Sequence, residues 1–219
     1  MMTHAKPGRR IVLACVAALA LGAVFNLISP ATAQTVAPAP SQLSGPALLS
    51  ALRGGGYVLY FRHAATDFSQ NDDHMTGYED CATQRNLTDR GRADARAMGV
   101  AIAALAIPIG DVIASPFCRT QETARLIFGR ATSSPAARGG PAQESAERYA
   151  PLRALLSTPV PRGTNLVIVS HGNPYRALVG GSYLAEGEAA LIEPHGKDGF
   201  IVIARVPQEE WTRLAAAAK

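Results

Sequence analysis

Arg62 and His63 stand side by side directly behind the apolar run Tyr57 to Phe61 (YVLYF). Two further stretches repeat the arrangement. Ser115-Pro116-Phe117-Cys118-Arg119 follows an apolar stretch that ends at Ala114, and Ser170-His171-Gly172 follows one that ends at Val169. Two arginines and two histidines gathered in one place would repel each other and hold the histidines below their ordinary pKa unless an anion joined them. Phosphate suits such a cluster. Guanidinium groups grip it with parallel hydrogen bonds, and a histidine ring nitrogen among them can attack phosphorus and carry it as a phosphohistidine. The other cations would stabilise charge on the equatorial oxygens, so this chemistry calls for no metal and no cofactor. It does call for an acid to protonate the leaving oxygen and for water to release the phosphoryl group.

The elements that must bring these residues together are legible in the hydrophobic pattern. Tyr57 to Phe61 is a continuous β-rich run, as expected of a strand buried on both faces. Asp111 to Ala114, Asn165 to Val169 and Phe200 to Val206 read as further strands. Helices are expected over Pro46 to Arg53, Thr88 (as cap) to about Ala106, Arg119 to Phe128, Ser145 to Leu156, Pro174 to Val179 and Gln208 to Ala218. Arg62 to Asn86 reads as a long polar loop, and Arg130 to Pro141 has loop composition. Alternating helices and strands predict an α/β fold, a three-layer sandwich with a mostly parallel sheet and helices on both faces. In such sheets ligands sit at the carboxyl ends of strands, where all three cationic stretches fall.

At these residues the chain resembles the histidine phosphatase superfamily, the phosphoglycerate mutase-like proteins. The family's R-H-G element stands here as Arg62-His63-Ala64. Its S-P-x-x-R-x-x-x-T-A element stands as Ser115-Pro116-Phe117-Cys118-Arg119-Thr120-Gln121-Glu122-Thr123-Ala124. An L-T-x-x-G element appears as Leu87 to Gly91 and the second histidine as His171-Gly172. The resemblance covers about Tyr57 to Val206 and implies His63 as nucleophile, Arg62 and Arg119 as phosphate ligands and His171 as a phosphate-binding partner. Ala64 replaces the usual glycine, the Arg62–Asn86 loop lacks the mutase pattern, and the family's general acid is not clearly marked. Glu144 is the candidate acid by its distance from Arg119, with Asp67, Glu186 and Glu188 as rivals. Thr66 is a candidate phosphate donor or a loop cap. The expected activity is phosphomonoester hydrolysis of a phosphorylated small molecule or an envelope glycan. Among the small subgroups, the chain resembles the lipopolysaccharide-heptose phosphatases and the protein phosphohistidine phosphatases. A non-catalytic phosphate-binding protein is the alternative of a different class, and a mutase ranks below these.

The N-terminus bounds the setting. Met1 to Arg10 is basic, Ile11 to Ile28 is almost wholly apolar, and Ala31-Thr32-Ala33 has A-x-A form. This predicts a signal peptide over residues 1–33, a flexible leader over 34–45 and a single domain over 46–219, hence a periplasmic or secreted protein that contacts a membrane only if the signal is retained. Cleavage leaves 18 basic and 17 acidic residues, so the pI of about 9.2 gives no case for nucleic acid. It also leaves two cysteines, Cys81 and Cys118, in an oxidising compartment. Both fall in loops at the same sheet edge, so a disulfide between them is expected. No C-x-x-C or H-E-x-x-H spacing suggests zinc.

Overall fold

A computed structural model describes residues 42–138 and 146–218. The signal and most of the leader therefore lie outside the described residues, as does Glu144. Among the described residues no helix is long and apolar enough to cross a membrane.

The chain opens with α1 (Gly45–Gly54), which turns at Gly55 into β1 (Val58–Arg62). After the long loop come α2 (Asp89–Ala104), β2 (Ile109–Ala114), α3 (Cys118–Phe128), the two-residue β3 (Thr132–Ser133) and the short α4 (Pro135–Arg138). The segment read as one helix from Ser145 instead has a 3-10 turn over Ala146–Tyr149 before α5 (Ala150–Ser157), which starts with a proline in its first turn. Proline fits there because its missing N–H has no intrahelical partner to lose. Then follow β4 (Asn165–Ser170), α6 (Gly172–Val179), β5 (Ala189–Pro194), β6 (Phe200–Val206) and α7 (Gln208–Ala217).

The six strands form one sheet in the order β3-β2-β4-β1-β5-β6. The first four run parallel, β5 runs antiparallel to β1, and β6 antiparallel to β5. Side chains alternate across the sheet, so β1 feeds two cores at once. Leu59 and Phe61 face one, filled by α1, α2, α3 and α7 and including Met98, Ile127 and Trp211. Val58 and Tyr60 face the other, where Leu152, Leu156 and Tyr175 come from α5 and α6. That two-sided burial is the reason the run YVLYF is unbroken by polar residues.

Candidate active site

The strand ends that lead to Arg62, His63, Arg119 and His171 are tied to one another by backbone hydrogen bonds at one end of the sheet. The His63 N–H donates to Ser170 O at 3.0 Å, the Ser115 N–H to Val169 O at 2.9 Å, and the Arg62 N–H to Glu188 O at 3.0 Å. The carbonyl of His63 accepts from Gly187 N at 2.9 Å. The ends of β1, β2 and β4 and the start of β5 are thus cross-linked at the point where polar side chains begin. Leu87-Thr88-x-x-Gly91 serves the same end. The Thr88 hydroxyl caps α2 by accepting from Gly91 N at 2.9 Å. A Cβ at Gly91 would run into the Ala65 carbonyl oxygen, so glycine lets α2 pack directly behind the segment that follows His63.

His63, Arg62, Arg119 and His171 line one cavity of about 530 Å³ with Arg85, Arg138, Arg148, Asp72 and the rings of Phe68, Phe117, Tyr149 and Tyr183. The His63 ring lies 5.6 Å, centroid to centroid, from that of His171. His63 Nδ1 is 2.9 Å from Ala64 O. A carbonyl only accepts, so the ring proton is on Nδ1 and the lone pair is on Nε2. Burial, then the charges of Arg119, Arg62 and Arg85, push the His63 pKa down to about 3 against the opposing pull of that hydrogen bond. The ring is neutral at pH 7 and its Nε2 is free to attack. His171 also lies well below its ordinary value, through burial and then Arg119 and His63. Its Nε2 shares a 2.8 Å hydrogen bond with Ser115 Oγ, which fixes the ring.

The arginines are positioned but not saturated. Arg62 Nη1 donates to Leu184 O at 2.8 Å and Nη2 lies 3.6 Å from Glu186. Arg119 Nη1 donates to Asp72 Oδ1 at 3.0 Å and to Arg85 O at 3.3 Å, and its guanidinium lies over the Phe117 ring. Yet the buried Nε groups of Arg62, Arg85, Arg119 and Arg148 have no hydrogen-bond partner among the described residues. Buried donors left unmet are costly, on the order of 1–3 kcal/mol each, and here all four belong to residues lining the same cavity. Arg85 and Arg148 escaped the sequence reading. One lies in a polar loop and the other in a stretch read as helix, with no motif to mark either.

The remaining predicted residues sit elsewhere. Thr66 does not line the cavity. Its hydroxyl donates to Glu186 Oε1 at 2.6 Å and its N–H to Oε2 at 3.2 Å. Glu186, so held, lies 3.8 Å from His63 Nδ1, the side of the ring away from Nε2. Asp67 turns back to accept from the N–H and hydroxyl of Ser69. Glu188 is locked by Arg205 at 2.7 Å and by the Ala185 N–H. Among the described residues, Asp72 is the carboxylate that lines the cavity. Burial would raise its pKa, but the Arg85 N–H and Arg119 outweigh that and hold it ionised. Cys81 and Cys118 form the expected disulfide, with Cα atoms 5.7 Å apart.

A sequence model of the histidine phosphatase superfamily (branch 1) matches residues 58–138 of this chain, the stretch from β1 to the end of α4. No curated relative matches the chain. Solved structures share the fold at low identity. Phosphoserine phosphatase from Entamoeba histolytica, in complex with 3-phosphoglyceric acid, is 14% identical with a TM-score of 0.51, over 71% of this chain and 98% of that one. The protein histidine phosphatase SixA complexed with tungstate is 17% identical with a TM-score of 0.50, over 69% and 97%. The family match spans 81 of the 219 residues and includes Arg62, His63, Arg85, Arg119 and Arg138 of the cavity lining.

Proposed function

We propose that this chain, similar to the histidine phosphatase superfamily from β1 through α4, is an exported phosphomonoester hydrolase that works through a phosphohistidine at His63. The observation that carries the proposal is a neutral His63, with its lone pair on Nε2, in a cavity it shares with Arg62, Arg85, Arg119 and Arg148. A phosphate dianion is the anion that such a cluster of cations calls for. In the first step Nε2 attacks phosphorus, the bond to the ester oxygen breaks, and that oxygen takes a proton from an acid. We assign the acid to Glu144 on its sequence distance from Arg119, since Asp67, Glu186 and Glu188 are all engaged elsewhere. In the second step the carboxylate of Glu144 takes a proton from water as that water attacks phosphorus, the P–N bond breaks, and phosphate leaves with His63 and the acid restored. Arg62, Arg119 and His171 hold the equatorial oxygens in both steps, and the positive charge they bring lets the reaction run without a metal.

The export signal in residues 1–33 supports a phosphorylated small molecule or sugar of the cell envelope as substrate. The test is hydrolysis of p-nitrophenyl phosphate in the presence of a chelator by wild type and by His63→Ala. Activity that survives the chelator and falls by at least about 10³-fold in the variant is expected. A His63→Ala protein retaining a tenth of wild-type turnover would overturn the covalent mechanism.

A further inference from the structure

Glu186 is a carboxylate fixed beside His63 that neither step of the reaction uses. It is held from several sides. The Thr66 hydroxyl donates to its Oε1 at 2.6 Å and the Thr66 N–H to its Oε2 at 3.2 Å. The backbone around it is zipped to that of Arg62 and His63, since the Gly187 N–H donates to His63 O at 2.9 Å and the Arg62 N–H to Glu188 O at 3.0 Å. Its side chain is only 16% exposed and lies 3.6 Å from Arg62 Nη2 and 3.8 Å from His63 Nδ1. Among the described residues no other carboxylate lies within 4.0 Å of His63 or His171. A negative charge so close to an anion site repels phosphate, so phosphate binding does not explain its place.

We propose that Glu186, steadied by Thr66, is a positioning residue that serves as counter-ion to the positive charge His63 takes on when its Nε2 bonds phosphorus. The assignment rests on the phosphohistidine reading. His63 starts neutral, its Nδ1 proton shared with Ala64 O. As the Nε2 lone pair forms the P–N bond, the P–O ester bond breaks. Its electron pair leaves on the ester oxygen, which takes the proton of the acid. The ring keeps its Nδ1 proton and so gains one positive charge. Arg119, Arg62 and Arg85 all oppose that charge. The Ala64 carbonyl meets it with a dipole, and Glu186 meets it with a full negative charge on the same side of the ring. When water breaks the P–N bond, the pair returns to Nε2 and the ring is neutral again. An opposite charge this close favours the charged form of its neighbour by roughly 10- to 10³-fold. That gain falls on the transition state and the intermediate, and the resting enzyme, with a neutral ring, does not share it.

Glu186→Gln keeps the shape of the side chain and an acceptor for Thr66, and removes the charge. With enzyme in excess over p-nitrophenyl phosphate, release of p-nitrophenol times the first step alone. The variant should slow that step by about tenfold or more. Inorganic phosphate should inhibit it at least as strongly as wild type, because a repelling charge has gone. Thr66→Val should slow the same step by less, and in the double variant the two losses should not multiply. A carboxylate that only holds Arg62 would give a different result, with phosphate inhibition weakening along with the rate. That result, a first step as fast as in wild type, or losses that multiply would each overturn the assignment. Wild-type protein that releases no p-nitrophenol sinks the phosphatase reading on its own account. The counter-ion is then read with phosphoramidate, a small donor that phosphorylates histidine chemically, by mass spectrometry of His63. Slower labelling in Glu186→Gln supports the counter-ion, and equal labelling overturns it.

Discussion

Two histidines in this site live as neutral rings, and that has a consequence for pH. An unfolded chain protonates histidine below about 6.5, whereas native His63 resists protonation down to about 3 and native His171 also lies well below the ordinary value. As pH falls from about 6.5 toward 3 the unfolded state binds more protons than the native one, so acid favours unfolding. The stabilising share of these two rings is present above pH 6.5 and is lost on the way down. Thermal melts between pH 7 and pH 4 should therefore show a falling Tm, with a shallower fall in His63→Asn. A slope identical in wild type and variant would mean that His63 titrates normally. Inorganic phosphate should raise Tm by binding the native state. Arg119 supplies the second test at this scale. Its Nη1 is held by Asp72 and by Arg85 O while its Nε has no partner, a division that only a planar fork allows. Arg119→Lys should lose on the order of 10²-fold in kcat/KM. Vanadate inhibition undiminished in that variant would place Arg119 outside the phosphate site. Arg62, His63 and His171 were readable in advance because they stand within two residues of the end of an apolar run, and Arg119 because it ends the S-P-x-x-R element that follows another. Arg85, by contrast, enters the cavity from the middle of a polar loop, and only the fold of that loop against Phe68 and Arg119 puts it there.

At the scale of elements, the loop from Arg62 to Asn86 is the part whose behaviour is least like that of a bare polar stretch. It is stapled by the disulfide at a sequence separation of 37. Buried Gln84 reinforces the staple, since its amide donates to the carbonyls of Gly77 and Tyr78 while its Oε1 accepts from the Cys118 N–H at 3.0 Å. Asp72 from the same loop orients Arg119, the residue that follows Cys118. Opening the disulfide should therefore act on stability and site together. Reduction, or Cys81→Ala with Cys118→Ala, is expected to cost about 3–4 kcal/mol by the loop-entropy estimate and to raise KM. Denatured, unreduced protein beginning at Gln34 should titrate no free thiol, and two would refute the bond. The strands β1, β2, β4 and β6 announce themselves as apolar runs. β5 does not, because only Ala189 to Ile192 is apolar, with Glu188 before it and Glu193-Pro194 after. A period of two cannot be told from noise over so short a stretch, and so the antiparallel neighbour of β1 emerges only from the folded sheet.

For the whole molecule, the expected layered α/β architecture and its cationic edge agree with the sheet and cavity observed, while the placement of the general acid depends on Glu144, beyond the described residues. The proposed export makes its own prediction. Mass spectrometry of the protein made in a secreting host should find a mature chain starting at Gln34, and a full-length chain in the membrane fraction would show a retained anchor instead. The strand order carries a last consequence, for the time course of synthesis. β1 is made early, yet both of its partners come late. Tyr60 bonds the carbonyl of a residue 111 positions further on, and every register contact of β1 is to β4 or β5. A ribosome must therefore finish most of the chain before the strand that leads into His63 has anything to pair with, and contacts so distant in sequence form slowly. A nascent chain of this order stays unpaired at its centre until its final third exists, so the cationic edge of the sheet is among the last parts of the molecule to form.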